Sequence, residues 1–286
     1  MGVLRRGGPC LRPSKLSLTA SYGALILISA MFVIPFVWLI RSSLMNLSQI
    51  FTMPPEWIPK PFQWSNFHKA LTVLPFDVFF KNTLIIVVTV LVGTVITSSI
   101  GAFGFSRIQW KGRDTVFAIL MTSMMLPAAV TIIPSFLGWQ LMGLYDTLYP
   151  LIVPAYFGGG IFNIFLLRQF YLTIPRDFDE AAFVDGANYW QIYTRLIFPL
   201  SRSAIIVVAL FSFLASWNDF MGPLIYLKSD SLFTLALGLQ MFQGTYTAQW
   251  DLLMAASATV VLPCVIVFLA GQRYFLEGIT LTGLKG

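Results

Sequence analysis

EAAFVDGANYWQIYTRLIFP, residues 180–199, is a polar, helix-prone stretch set between apolar runs that are each long enough to cross a bilayer. Pro175 precedes it, and Asp177, Asp179 and Glu180 place negative charge where a helix dipole is positive, so a short helix is expected over 180–184. Gly186 supplies the left-handed backbone that ends a helix cheaply. Asn188 can cap a second helix with Gln191 in the reciprocal position, and Pro199 marks the return to apolar chain. The expectation is helix, glycine turn, helix. Tyr189, Trp190, Ile192 and Tyr193 make the second helix more apolar than a solvated element, which calls for a partner or for burial against neighbouring helix ends.

Outward from this segment the chain is hydrophobic. Of 286 residues, 57% are hydrophobic and 10% charged, and the mean hydropathy is +0.78, outside the usage of soluble globular proteins. Windows 16–40, 82–106, 115–145, 147–167 and 252–272 contain no Asp, Glu, Lys or Arg. Each meets the roughly 20 apolar residues that a helix needs to cross the hydrocarbon core. A sixth run, 203–227, carries one acid, Asp219. None has the period-2 polarity of a transmembrane barrel, so the class is an all-α integral membrane protein with six transmembrane helices.

Lys and Arg are retained on the cytoplasmic side of membranes. Six spans with the N-terminus and C-terminus cytoplasmic place 13 of the 18 basic residues inside, leaving Arg41, Lys60, Lys69, Lys81 and Lys228 outside. The net charge of +6 follows from this bias and does not indicate nucleic acid. The chain divides into a cytoplasmic tail, 1–15, a transmembrane domain, 16–272, and a second tail, 273–286. The spans fall at about 16–40, 82–105, 115–137, 147–168, 203–227 and 251–272, and the loop at 176–199 is cytoplasmic. The first span is too long for a cleaved leader and lacks a small-residue cleavage site.

Between the spans, 41–81 holds five prolines with Trp57 and Trp64 and reads as an ordered cap at the membrane surface. Pro127 and Pro134 should kink or interrupt the third span. Gly158, Gly159 and Gly160 should let helices approach closely in the fourth. Segment 228–250 has too short an apolar part for a seventh span and reads as a re-entrant or interfacial loop. Cys10 and Cys264 are not expected to pair, and His68, the single histidine, is a packing residue.

No phosphate loop, metal-ligand spacing or nucleophile–base pair is present, so the chain is not expected to be an enzyme and energy for transport must come from another chain or an ion gradient. Asn218 and Asp219 form an intramembrane polar pair, either on a solute pathway or in a helix-to-helix contact. Phe213 and Met221 beside them can stack on a sugar ring, or simply pack. An ion-coupled carrier would use Asp219 as its coupling site, and a scaffold would use only the loop.

Glu180, Ala181, Ala182, Asp185, Gly186, Ala187 and Pro199 fall at the spacing of the EAA loop of permease subunits from binding-protein-dependent ABC importers. Leu196 and Phe198 depart from the usual Ile and Leu but remain apolar. Further stretches point to the sugar branch and resemble the smaller permease of maltose-type systems: Asn82-Thr83-Leu84, Trp217-Asn218-Asp219 with Pro223 and Leu224, Met254-Ala255-Ala256, and the tail 278–286. The resemblance implies a multi-pass bacterial or archaeal inner-membrane subunit whose coupling helix lies between spans 4 and 5. Glu180, Ala181, Ala182, Asp185, Gly186, Ala187, Tyr189 and Pro199 would engage an ATPase, and Asn218, Asp219, Phe213 and Met221 would border the substrate pathway. It also implies a second permease in a heterodimer, two ATPase subunits that bind ATP and Mg, an extracytoplasmic solute-binding protein and a sugar substrate, with no cofactor in this chain. A glycerol phosphate-type solute is the alternative cargo.

Overall fold

The protein is described by a computed structural model covering residues 15–244 and 248–283. Cys10 and most of the N-terminal tail lie outside the described residues. Within them the regular structure is helical, apart from one antiparallel bridge between Gln243 and Ala248. Four helical stretches are long and apolar enough to cross a membrane, or up to six if each of two bent pairs is one span.

The first helix, α1 (Lys15–Ser43), leaves its apolar residues exposed along its length, including Ile26, Met31 and Phe32. Short helices α2 (Leu47–Ile50) and α3 (Ser65–Val73) sit in the proline-rich cap. Asn66 ties the cap down by donating its Nδ2 to the carbonyls of Ser43 (3.1 Å) and Met45 (2.8 Å). The second long helix, α4 (Phe76–Ser106), starts six residues before the charge-free window because Asp77 in its first turn favours a helix N-terminus.

The third run is two helices, α5 (Arg113–Thr122) and α6 (Ala128–Leu141), bent by 100°. Pro127 is the cause: a residue before proline is pushed out of the helical region, and Leu126 accordingly has ψ 117°. The fourth run is broken as well, into α7 (Tyr149–Ile152), a 3₁₀ turn to Tyr156 and α8 (Ile161–Thr173). The three glycines sit in this break with positive φ, a correction to their expected place inside a helix. Close approach is still their role. A Cβ on Gly159 would lie 2.6 Å from the carbonyl oxygen of Thr94 on α4.

Next come α9 (Asp177–Val184), α10 (Tyr189–Ile192) and α11 (Phe198–Leu200), then α12 (Arg202–Trp217), which ends ten residues before the expected limit. Pro223 cannot donate to the carbonyl of residue 219, so a helix through this point would lose a bond and clash. The chain instead turns at 218–220 and resumes as α13 (Met221–Tyr226). Among the described residues of segment 228–250 the helices are a 3₁₀ turn at Asp230–Leu232 and the seven-residue α14 (Leu235–Met241), too short to span, which packs on α4 with Leu235 and Leu237 buried. The last helix, α15 (Trp250–Gly283), continues past the expected end of the sixth span into the expected tail.

α4 packs on α8 and α12, and α15 packs on α1, α3 and α12. Two buried clusters result. One gathers Phe103, Leu167, Ile192, Ile197 and Val208; the other gathers Phe76, Phe79, Trp217, Leu235 and Leu252. α4 contributes to both.

Asp146, with φ 56°, joins the turn after α6 to the end of α13. Its N–H donates to the Tyr226 carbonyl (3.0 Å), and its Oδ1 accepts from the N–H groups of Lys228 (2.8 Å) and Ser229 (2.9 Å). The Ser229 hydroxyl, then the backbone N–H groups of Ser229 and Lys228, hold the Asp146 carboxyl below its ordinary range. A folded-state pKa that is depressed gives a tie fully present above the unfolded value of about 3.9 and lost as pH falls through the folded value. We expect amide-exchange protection at Lys228 and Ser229, corrected for intrinsic rates, to be constant near neutrality and to fall below about pH 4. Asp146→Ala should remove it at every pH; protection that persists in this variant contradicts the tie.

Candidate functional site

α9 begins with three acids in its first turn, Asp177, Asp179 and Glu180. It ends in a paired glycine cap: the N–H of Gly186 (φ 80°) reaches the Phe183 carbonyl at 3.0 Å, and that of Ala187 reaches Ala182 at 2.9 Å. This 5→2 and 6→1 pairing satisfies carbonyls that a helix end leaves open, and it needs the left-handed backbone that glycine adopts without strain. Asn188 then starts the next helix. Its side chain accepts from the Gln191 N–H, and Gln191 Oε1 accepts from the Asn188 N–H, both at 2.9 Å. The helix runs from Tyr189 to Leu200 through a π-helical turn at Tyr193–Ile197 and meets α12 at 78°.

Both limbs of this hairpin are fixed to the far end of α4. Arg107, the residue after α4, is buried with its side chain 3% exposed and donates Nη1 to Asp179 Oδ2 at 3.0 Å. Its Nη2 donates to the carbonyls of Tyr171 (2.6 Å) and Ile174 (2.8 Å), which terminate α8. One guanidinium therefore caps the negative end of α8 and pairs with the first turn of α9. Burial lowers the Arg107 pKa from its ordinary value, and the Asp179 carboxylate opposes that fall. On the second limb, Tyr193 Oη shares a buried 2.7 Å hydrogen bond with Ser99 Oγ of α4. Arg168 of α8 adds a bond from Nε to the Phe105 carbonyl (3.1 Å) and stacks its guanidinium 4.3 Å above Phe117.

The apolar residues of the second limb divide between the two fates left open by the sequence. Ile192 and Tyr193 are buried in the first cluster, whereas Trp190 is 61% exposed and Tyr189 is exposed beside it. Phe183 and Val184, the latter 88% exposed, extend the same surface from the end of α9, and the Phe183 and Tyr189 rings meet edge to face at 5.1 Å. Glu180, Ala181, Asp185, Gly186 and Pro199 are exposed; Ala182 and Ala187 pack inward. The hairpin thus presents an acidic and apolar tip on a base held rigidly to the bundle. Arg107, Asp179 and Ser99 were not singled out as site residues from the sequence. A hint was present, since Arg107 is the first charge after a long neutral window and Asp179 directly precedes Glu180.

The second set of candidates lies at the α12–α13 break. Asn218 is exposed and returns its Nδ2 to the Leu214 carbonyl (2.8 Å), while Asp219 Oδ1 accepts from the Gly222 N–H (3.0 Å). These short polar side chains satisfy the broken helix locally. Met221 is exposed, and Phe213 is half-buried, stacking on Trp217 at 5.4 Å against the second buried cluster. α13 also meets the bent third run: Tyr226 stacks on Phe136 with centroids 6.4 Å apart.

Residues 93–280, which include the hairpin, the three broken runs and the end of α4 from Gly93 onward, match the family described as binding-protein-dependent transport system inner membrane component. The chain belongs to this family. It is 33% identical over 267 residues to the inner membrane ABC transporter permease protein YcjP of Escherichia coli, covering 92% of this chain and 94% of that one. It is 34% identical over 208 residues to the arabinooligosaccharides transport system permease protein AraQ of Bacillus subtilis, covering 73% of each. Its fold is that of a chain in the crystal structure of a bacterial ABC transporter involved in the import of the acidic polysaccharide alginate, with a TM-score of 0.80 at 22% identity over 92% of this chain and 99% of that one.

Removing one partner of a buried ion pair leaves an uncompensated charge, a change that costs about 3–5 kcal/mol. We expect Asp179→Ala to lower unfolding stability in detergent by that order and to speed proteolysis between 176 and 200. A stability equal to that of the unaltered protein would show that Arg107 finds other compensation.

Proposed function

We propose that this chain is the permease subunit of an ATP-driven importer, forming half of the pathway for an oligosaccharide. Its two termini and the hairpin 176–199 lie in the cytoplasm, in keeping with the basic-residue bias. The observation that carries the reading is the hairpin tip: Phe183, Val184, Tyr189 and Trp190 are exposed on an element whose base is fixed through Arg107 and Tyr193. An apolar tip on a rigid base suits a groove on a separate ATPase, which supplies ATP and Mg chemistry that this chain's residues do not. Glu180 beside the tip would pair with a basic residue there. Closure of two ATPases would then move this hairpin and its equivalent in a second, non-identical permease, turning the core between inward- and outward-facing states.

Carbohydrate cargo is supported by the relatives, whose names specify arabinooligosaccharides and alginate. The broken runs agree with a pathway between subunits, since irregular backbone at membrane depth is tolerated where it is buried in protein or lines a cavity. In this reading Asn218 and Asp219 shape the break, and Met221 is left facing outward from it. An extracytoplasmic binding protein would deliver the solute to the side bearing 41–75 and 228–250. A glycerol phosphate-type solute is the competing cargo.

Reconstitution with the partner permease, the ATPases and a solute-loaded binding protein tests the proposal. We expect uptake that requires ATP and survives collapse of ion gradients; uptake that vanishes with the gradients would establish a secondary carrier instead. Glu180→Ala and Gly186→Pro should insert normally and lower uptake by about tenfold or more, the first by removing a contact at the tip and the second because proline cannot adopt a φ of 80°. Unaltered uptake in both variants would refute the role of the hairpin.

A further inference from the structure

The Asn82-Thr83-Leu84 stretch has no part in the hairpin, yet its first two side chains make the longest-range bonds of α4. Asn82 Nδ2 donates to the carbonyls of Ser231 (2.9 Å) and Phe233 (3.0 Å), and Thr83 Oγ1 accepts from the Leu235 N–H (2.9 Å). Both residues are buried. They pin segment 228–242 to one end of α4, and Phe79 closes the joint, since a Cβ on Gly238 would lie 2.4 Å from its ring. At the other end Ser99 and Arg107 pin both limbs of the hairpin.

α4 is unbroken for 31 residues, and its outermost pins, Asn82 and Arg107, are separated by about 37 Å at 1.5 Å per residue. It contains no proline, whereas α1, α6 and α15 each contain one and the helical structure of the third, fourth and fifth runs is interrupted. Gly93 and Thr97 hold its middle against Tyr156 and the Ala155 carbonyl, so it is braced along its length.

Resting on the importer reading above, we propose that α4 is a transmission strut between segment 228–242 on the outer side and the hairpin on the inner side, with Asn82 and Thr83 as positioning residues at one end and Ser99 and Arg107 at the other. An importer that hydrolysed ATP without regard to cargo outside would waste it, so arrival of loaded binding protein must be felt at the ATPases. Surface loops cannot carry that signal through the bilayer. A continuous helix bonded at both ends to the responding segments can, because displacement of one joint displaces the other.

The test is ATP hydrolysis by the complete importer in lipid nanodiscs, titrated with solute-loaded binding protein. Thr83→Val, which keeps shape and removes the hydroxyl, should lower the maximal stimulation by about fivefold, the effect of one hydrogen bond lost from the transmitting state. Asn82→Leu should do the same, and Thr83→Ser should restore it. Tyr193→Phe, at the far end and lacking only the hydroxyl that meets Ser99, should give the same loss, so the outcome does not rest on one site that fails to fold. A fall in the maximum at saturating binding protein supports the strut. Full stimulation in Thr83→Val and Tyr193→Phe, or a shift only in the half-saturating concentration, overturns it and assigns these residues to local packing. If the unaltered importer shows no ATP-dependent uptake, the importer reading itself fails; if it does and only the variants behave as unaltered protein, the strut alone fails.

Discussion

A guanidinium buried at the edge of a helical bundle is tolerated when its charge and most of its donors are met, and Arg107 meets its charge with one carboxylate and turns Nη2 on two helix-terminal carbonyls, leaving only Nε without a partner among the described residues. Much of the architecture follows from satisfying that side chain. It fixes where α8 stops, sets the direction in which α9 leaves and joins the hairpin to α4. The apolar tip can be exposed because its base is not free to collapse onto the bundle.

The same demand for satisfied polar groups organises the rest of the molecule. Where proline removes a donor, at Pro127 and Pro223, the chain breaks, and short polar side chains close the exposed ends at Asn218 and Asp219. Where glycines permit left-handed turns, at 158–160, the fourth run folds onto α4. α4 runs without a proline or a break and enters both buried clusters, a continuous element beside the interrupted third, fourth and fifth runs.

Patterns that depend on neighbouring residues were legible in the sequence. The glycine cap at Gly186 and the reciprocal pair Asn188 and Gln191 form as their spacing requires, and the all-helical class follows from charge-free windows. Helix limits were less legible, because hydropathy is indifferent to a missing donor: 203–227 is apolar enough on average to read as one span, yet Pro223 and the polar pair Asn218 and Asp219 before it divide it. The pairing of Arg107 with Asp179 across 72 residues, and of Asn82 with Ser231 across 149, was not legible, since nothing local marks which distant group will satisfy a buried donor. Phe213 and Met221, one apolar run in the sequence, fall on the separate helices α12 and α13, and Phe213 stacks half-buried on Trp217.

The most direct test of the central claim, that the hairpin and α4 move as one body, is a distance between spin labels at Leu84 on α4 and Val184 at the hairpin tip, both exposed, in a background lacking Cys10 and Cys264. Measured in the assembled importer with and without ATP, the distance should keep a single narrow distribution that moves by no more than about 2 Å. A change of about one helical turn, 5 Å or more, between the two conditions would contradict it.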